Sequence, residues 1–207
     1  NEWVMWNRNG GSTYDVQTSG FLWLAQFGDM SSAGTQRPSQ GRIDIDSRRN
    51  PVMMSATKGC EVATWAKPNG CYISATMDAL PTDRWAEMTF SFTPEEDGTV
   101  ILKLMGAGIH VPGSNKILPV WGYMDDLRVE GAALINGDFE ASGRKGIPEG
   151  WRPETRPGLW IHSPTFAASG EYCVKTSHND RFAQEITVAK GRTVTVRVKA
   201  RGVAAGK

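Results

Sequence analysis

Short segments in which apolar and polar residues alternate recur along the sequence, and they constrain the fold more than any other feature. Examples are "GRIDID", "WAEMTFSF", "TVILKLM" and "TVTVRVKAR", which are separated by stretches rich in Gly, Pro, Asn and Asp. Alternation with a period of two is typical of a strand with one buried face, whereas a helix needs apolar residues three and four positions apart. Because helix-like patterns are nearly absent, the sequence predicts an all-β, antiparallel protein.

Turn-forming sequences lie between several of these segments. "TPEEDGT", "KPNGC" and "VAKGRT" supply the Gly, Asn or Asp that tight turns between antiparallel strands favour. Many short strands with one apolar face each must bury that face against a second sheet. We therefore expect an antiparallel β-sandwich of the jelly-roll type.

The distribution of charge argues against a nucleic-acid partner. The chain has 207 residues and a net charge of +1, but residues 134–207 carry 12 Lys/Arg against 7 Asp/Glu. These positive charges are spread singly along alternating segments, without a basic run or an RNA-binding motif, so a solvated sheet face explains them better. No apolar run approaches the roughly 20 residues that a membrane-spanning helix needs, and we expect no membrane insertion.

The three cysteines do not form a metal-binding pattern. Cys60 and Cys71 bracket a predicted short loop that a disulfide could close, and whether they form one stays open. Cys173 lies in the alternating segment "GEYCVKTS", which favours a small buried apolar side chain. A zinc site needs more ligands at tighter spacing, so we expect none.

Two parts of the sequence carry motifs in a recognisable order. "LINGDFEASGRKGIPEGW" contains an Asn-Gly-x-Phe-Glu segment, a loop and a Gly-Trp, followed by "GEYCVKTS" and "FAQEITVAKGRTVTVRVKAR". Residues 70–133 contain a strand pair, a variable loop and the segment "MDDLRVEG". The two parts resemble the opening and the closing parts of carbohydrate-binding modules of the galactose-binding-like jelly-roll type.

The resemblance implies two consecutive modules with a boundary after residue 133, the second of which begins with a strand at the Asn-Gly-x-Phe-Glu segment. Residues 1–133 would form one β-sandwich, and residues 134–207 the amino-terminal half of a second one. Half a sandwich exposes apolar surface and strand edges, which is unfavourable in water. Three explanations stay open: the chain is a fragment of a longer protein, another chain completes the second module, or the two parts fold together as one composite domain.

The resemblance also implies a structural calcium ion. In modules of this type the ion ties the first strand to the last through the opening Glu, nearby backbone carbonyls and an Asp of the closing pair, and such oxygen ligands suit Ca²⁺. The alternative is that the Asp pair caps a turn and the Glu is merely exposed. The matching carboxylates in this sequence are Asp125, Asp126, Asp138 and Glu140.

Tryptophan is abundant, with eight in the chain. A flat indole face stacks on the apolar face of a sugar ring, and the indole N–H can donate to a hydroxyl. We expect Trp85 and Trp151 to belong to the core. The candidates for ligand contact are Trp65, in a predicted loop; Trp121, beside the Asp pair; Trp160; and Trp3 and Trp6, in a cluster with amide side chains.

Recognisable catalytic patterns are absent from the sequence. It contains no nucleophile elbow, no Cys–His pair at informative spacing and no phosphate-binding Gly loop. We therefore expect a protein that is not an enzyme: a carbohydrate-binding module, for a polysaccharide or glycan, in a larger secreted or cell-surface protein. The alternative is a structural or assembly protein whose sandwich packs against neighbouring domains or associates with itself, the incomplete second module accepting a strand.

Overall fold

The computed structural model describes residues 41–46, 52–58, 61–67, 70–77, 80–110 and 117–203. Over these ranges the chain forms strands, a single 3-10 turn at Arg144–Gly146 and no α-helix, so no described helix could cross a membrane. The strands are β1 Gly41–Asp46, β2 Val52–Lys58, β3 Glu61–Lys67, β4 Gly70–Met77, β5 Ala86–Pro94, β6 Gly98–His110, β7 Ile117–Val120, β8 Gly122–Glu130, β9 Arg152–Pro153, β10 Leu159–His162, β11 Tyr172–Thr176, β12 Phe182–Val188 and β13 Val194–Gly202.

The strands form two antiparallel sheets. The first sheet has the order β3-β4-β1-β6-β12-β9, with β7 paired to β6, and the second has the order β10-β11-β8-β13-β5-β2. Every strand pair is antiparallel, with backbone hydrogen bonds to each neighbour. The predicted all-β, antiparallel β-sandwich is confirmed.

The alternation read from the sequence decides which side chains fill the space between the sheets. Along β13, Val194, Val196 and Val198 are buried while the residues between them point outward. The largest fully buried side chains of the core include Phe90 and Phe92 of β5, both with no exposed surface. Burying one such side chain contributes roughly 1.5–3 kcal/mol, so the apolar face of each strand holds the sheets together.

The strand pairing corrects the predicted boundary between residues 133 and 134. β13 lies between β8 and β5, where Val194 is opposite Phe92, and β12 pairs with β6. Both sheets therefore contain strands from both sides of the predicted boundary, which alternate in the second sheet as β11-β8-β13-β5, and all share one hydrophobic core. This arrangement agrees with the third explanation for the incomplete second module, in which the two parts of the chain fold together as one composite domain.

Residues 131–151, predicted from the resemblance to begin with a strand, form an irregular connection instead. Asn136 and Phe139 have φ angles of +52° and +63°, which lie outside regular strand backbone. The Asn136 side-chain oxygen accepts from the Ala141 N–H at 2.9 Å, and the Trp151 indole N–H donates to the Asn136 carbonyl at 3.0 Å. These contacts order the segment without the backbone hydrogen-bond pattern of a β-sheet. Phe139 and Trp151 are buried as part of the core.

The structure also bears on the predicted positions of one tryptophan and of the cysteines. Trp65 does not lie in a loop, because Glu61–Lys67 forms β3 and Trp65 is opposite Tyr72 of β4. Cys173 is fully buried, as predicted, and burial raises the pKa of its thiol to about 12. Cys60 lies outside the described residues, so the proposed Cys60–Cys71 disulfide stays a prediction.

Candidate functional site

The outward face of the second sheet carries a row of side chains that crosses four strands. Leu159 of β10 is opposite Lys175 of β11, Lys175 is opposite Tyr123 of β8, and Tyr123 is opposite Arg201 of β13. Residues in direct register point to the same face of a sheet. Their sequence neighbours Val174, Met124 and Ala200 are buried in the core, so this row faces away from it.

Four aromatic rings lie along this row, and we call them the aromatic strip: Trp85, Trp121, Tyr123 and Phe166. The Phe166 ring contacts Tyr123 edge-on with the centroids 4.7 Å apart, and it contacts Trp85 at 5.7 Å. The Trp85 indole N–H donates to the Phe166 carbonyl at 2.9 Å. All four residues are partly exposed, including Trp85, which was expected to belong to the core.

Two cations accompany the aromatic strip. The Lys175 ammonium lies 5.6 Å from the centroid of Trp121 and 5.4 Å from that of Tyr123, within the range of a cation–π interaction. The Arg201 guanidinium lies 4.4 Å from the Phe166 centroid and donates two hydrogen bonds to the Thr82 carbonyl. Among the described residues, neither cation forms an ion pair.

The loop of residues 163–171 carries Phe166 over the sheet, and a buried carboxylate holds it there. Oδ2 of Asp125 accepts from the N–H groups of Ala168 at 2.7 Å and Ser169 at 3.0 Å, while Oδ1 accepts from the Asp126 N–H at 2.6 Å. Burial raises the pKa of Asp125 from 3.8 to about 6, although these hydrogen bonds act in the opposite direction. At neutral pH the carboxylate is charged and fixes the loop.

A second carboxylate holds the end of the same loop. Oε1 of Glu140 accepts from the N–H of Glu171 at 2.9 Å and from that of Tyr172 at 2.8 Å. Glu140 belongs to the irregular connection after β8, whereas the loop joins β10 to β11. The Asn-Gly-x-Phe-Glu segment therefore places a carboxylate where it orders the loop that carries part of the aromatic strip.

The four predicted calcium ligands have different surroundings. Asp126 pairs with Arg128 at 2.8 Å and Lys199 at 3.1 Å; burial alone would raise its pKa, but these two cations lower it below the ordinary value. Asp138 is exposed, and Asp125 and Glu140 accept backbone N–H groups. Within the described ranges, no three His, Cys, Asp or Glu side chains form a group that could hold a metal ion. Calcium binding by these carboxylates stays a prediction.

The predicted ligand-binding tryptophans separate in the structure. Trp121 joins the aromatic strip, but Trp160 lies on the core side of β10, where its indole N–H donates to the Phe139 carbonyl at 2.9 Å and its ring stacks on Tyr172. Trp65 is described only through the backbone of β3, and Trp3 and Trp6 lie outside the described residues. Ligand contact by these four tryptophans stays a prediction.

Sequence reasoning missed most of the site. Tyr123, Lys175 and Arg201 occupy outward positions of alternating segments, so their exposure could have been inferred. Their proximity could not, because β8, β11 and β13 are neighbours only through long-range pairing. Phe166 lies in a loop without any pattern that would place it over a sheet.

A groove lies at the end of the sandwich opposite the aromatic strip, lined by residues of β6 and β12 in the first sheet and by residues that follow β8. It is an open groove of about 620 Å³ beside the β5–β6 and β12–β13 turns. Small residues such as Gly131, Ala132 and Ala133 line it, together with Asp97 and Arg192. None of its described lining residues is aromatic, so a variant in this groove can serve as a control for variants in the aromatic strip.

No family model, curated protein or solved structure matches this chain. The resemblance to carbohydrate-binding modules therefore rests on the sequence motifs alone and stays a prediction.

Proposed function

We propose that the protein is a non-catalytic carbohydrate-binding module, part of a larger secreted or cell-surface protein, and that the aromatic strip is its binding surface. The observation that carries the proposal is the set of four partly exposed aromatic residues on one sheet face, beside two cations that pair with no described carboxylate. Aromatic faces offer stacking area to a sugar ring, and the adjacent amine and guanidinium groups donate hydrogen bonds to its oxygens.

The rigidity of the surface supports this role. Tyr123, Lys175 and Arg201 project from paired strands, and two carboxylates hold the loop that carries Phe166. Binding to a preformed surface loses little conformational entropy, so even a shallow site of this kind can retain a polysaccharide. Single shallow sites bind weakly, and repetition along a polymer or on a larger protein raises the overall affinity.

Replacing Trp121 with Ala tests the proposal. We expect polysaccharide affinity in gel electrophoresis or calorimetry to fall roughly tenfold, because a stacking face is removed, with little change in melting temperature, since Trp121 is only partly buried. Arg192→Ala, in the groove at the other end of the sandwich, is the control and should bind as the wild type does. Equal affinity losses in both variants would exclude the aromatic strip as the site.

One observation favours the assembly alternative. Within the part of the chain that the structure describes, β10 is an edge strand paired only with β11, and its Leu159 is 51% exposed. An exposed edge with an apolar side chain is a template for pairing with another strand. If assembly is the function, Leu159→Lys should convert a concentration-dependent oligomer into a monomer in sedimentation experiments, and no polysaccharide should bind.

A further inference from the structure

The charges along the aromatic strip point to an anionic polysaccharide, one that carries carboxylate or sulfate groups on its sugar rings. We infer this ligand class from Lys175 and Arg201, and the inference rests on the carbohydrate-binding role proposed above.

Lys175 is placed to receive an anionic group at one end of the strip. Its ammonium lies between Trp121 and Tyr123, at 5.6 and 5.4 Å from their centroids, and no described carboxylate pairs with it. A sugar ring that stacks on either aromatic face brings its substituents next to this ammonium. Because the positive charge is not neutralised within the protein, a negative substituent gains more there than a hydroxyl does.

Arg201 provides a second positive charge in the same row. It lies on β13 and Lys175 on β11, with β8 between them, so two strand spacings of about 5 Å each separate their backbones by about 10 Å. Tyr123 lies between the two cations in register with both. Burial raises the pKa of its phenol, so the hydroxyl stays protonated and can donate to an anionic oxygen. The row thus presents a cation, a hydrogen-bond donor and a second cation on three neighbouring strands.

Most other described cations on the same sheet face have a carboxylate partner. Lys199 and Arg128 both pair with Asp126, and Arg197 pairs with Glu130 at 3.2 Å. Lys58 of β2 is exposed on this face as well, but it lies opposite Thr89, away from the aromatic rings, so Lys175 and Arg201 are the cations beside the aromatic strip. A nucleic acid carries closely spaced phosphates and requires cations along a continuous groove, which two cations between compensated neighbours do not provide. A polymer with more widely spaced anionic groups fits the arrangement better.

Pairs of polymers that differ in whether they carry acidic groups test the inference with the intact chain. Affinity electrophoresis would compare polygalacturonate with its highly methyl-esterified form, and dextran sulfate with dextran. We expect retardation by the acidic member of at least one pair and much weaker retardation by its neutral member. Affinity for the acidic polymer should fall about tenfold when sodium chloride rises from 50 to 500 mM, because salt screens exposed charges. The pair that shows the effect identifies the group as carboxylate or sulfate.

Lys175→Gln and Lys190→Gln form a matched pair of variants. Lys190 lies in the exposed turn between β12 and β13, at the end of the sheet far from the strip, and each substitution removes one positive charge. We expect the Lys175 variant to bind the acidic polymer about fivefold more weakly and to lose part of the salt dependence, with the Lys190 variant unchanged.

Three results would overturn the inference, and they differ in what they leave standing. Equal binding of acidic and neutral polymers, still abolished by Trp121→Ala, would remove the acidic ligand and leave the carbohydrate-binding role. Tighter binding of a single-stranded oligothymidylate than of any acidic polysaccharide would replace the glycan with a nucleic acid. Absence of binding to every polymer would remove both the inference and the proposed function.

Discussion

At the scale of single residues, Asp125 combines complete burial with a negative charge. It is 0% exposed and lies beside the equally buried Cys173, and its compensation comes from three backbone N–H groups rather than from a cation. Desolvation of a charge is costly, and hydrogen bonds from neutral donors offset only part of it. The raised pKa of this carboxylate is the result.

The raised pKa predicts a pH-dependent cost to stability. The pKa of Asp125 is about 6 in the folded protein and 3.8 in the unfolded chain, so ionisation of this carboxyl is less favourable in the folded state. The stability that this group contributes is complete below pH 3.8 and is lost as the pH rises through 6, a total of about 3 kcal/mol. Urea denaturation at pH 4 and pH 7.5 should show that the free energy of unfolding of the wild type, relative to Asp125→Asn, falls by most of this amount, because part of the change already occurs below pH 4.

Asp83→Asn provides the control for this measurement. The Asp83 side chain is 75% exposed, so its replacement should leave the pH dependence of the wild type in place. A free-energy difference between wild type and Asp125→Asn that is the same at both pH values would mean that Asp125 titrates normally.

The sequence allowed some residue roles to be predicted and not others. Trp151 and Cys173 are buried as expected, Trp151 in the core between the sheets and Cys173 beside Asp125, on the sheet face that it shares with Lys175. Asp125 was predicted as a calcium ligand or a turn cap, but its partners Ala168 and Ser169 lie 43 and 44 positions further along the chain. Sequence pattern reports which face a residue occupies, and not which distant loop covers it.

At the scale of elements, the loop of residues 163–171 depends on a close approach at one glycine. Gly170 has a φ angle of +59°, and a Cβ atom there would lie 2.4 Å from Oε1 of Glu140. That oxygen accepts the hydrogen bonds of Glu171 and Tyr172. Any side chain at position 170 must therefore displace the carboxylate that anchors the loop.

Gly170→Ala and Gly191→Ala separate this contact from backbone strain. Gly191 also has a positive φ angle, +69°, but no atom lies within 4 Å of its would-be Cβ. We expect Gly191→Ala to cost about 1 kcal/mol of unfolding free energy from strain alone, and Gly170→Ala to cost 1–3 kcal/mol more, roughly the loss of two hydrogen bonds to a charged group. Hydrogen exchange at the Glu171 and Tyr172 amides should accelerate only in the Gly170 variant. Equal costs, with unchanged exchange, would show that Glu140 does not anchor the loop.

Sequence alternation predicted some strands and missed others. β1, β5, β6, β8, β12 and β13 correspond to segments identified by their alternation. β2 and β3, with seven residues each, were missed, and β9 and β10, with two and four residues, are too short to show a period. The "LINGDFE" segment was expected to be a strand from resemblance, but it forms no strand in the structure. These strand and turn identities depend on tertiary contacts rather than on local preference.

At the scale of the whole molecule, the two sheets depend on both parts of the chain. β6 lies between β1 and β12, and β13 lies between β8 and β5. Alternation in the sequence shows that each strand has a buried face but gives no information about its neighbours, which is why the resemblance led to two separate modules. The interleaved strand order predicts instead that neither part of a divided chain folds on its own.

Expressing residues 1–133 and 134–207 as separate chains tests the composite domain. We expect neither part alone to unfold cooperatively in calorimetry, because each lacks the strands between which its own strands lie. The control is the intact chain with a protease site inserted after Ala133, in an exposed position; after cleavage the two pieces should stay associated and melt together. A cooperative transition for residues 1–133 alone, at the temperature of the intact chain, would restore the two-module organisation.

The interleaving of β13 also sets when the protein can fold during its synthesis. Phe92 and its partner Val194 are 102 positions apart, and Val129 and its partner Val196 are 67 apart. While a ribosome makes the intervening residues, the apolar faces of β5 and β8 have no strand between them. Contacts between such distant residues form slowly, and exposed faces of this kind bind chaperones or aggregate. The second sheet therefore closes only when translation has passed β13, and until then β5 and β8 lack the strand that lies between them.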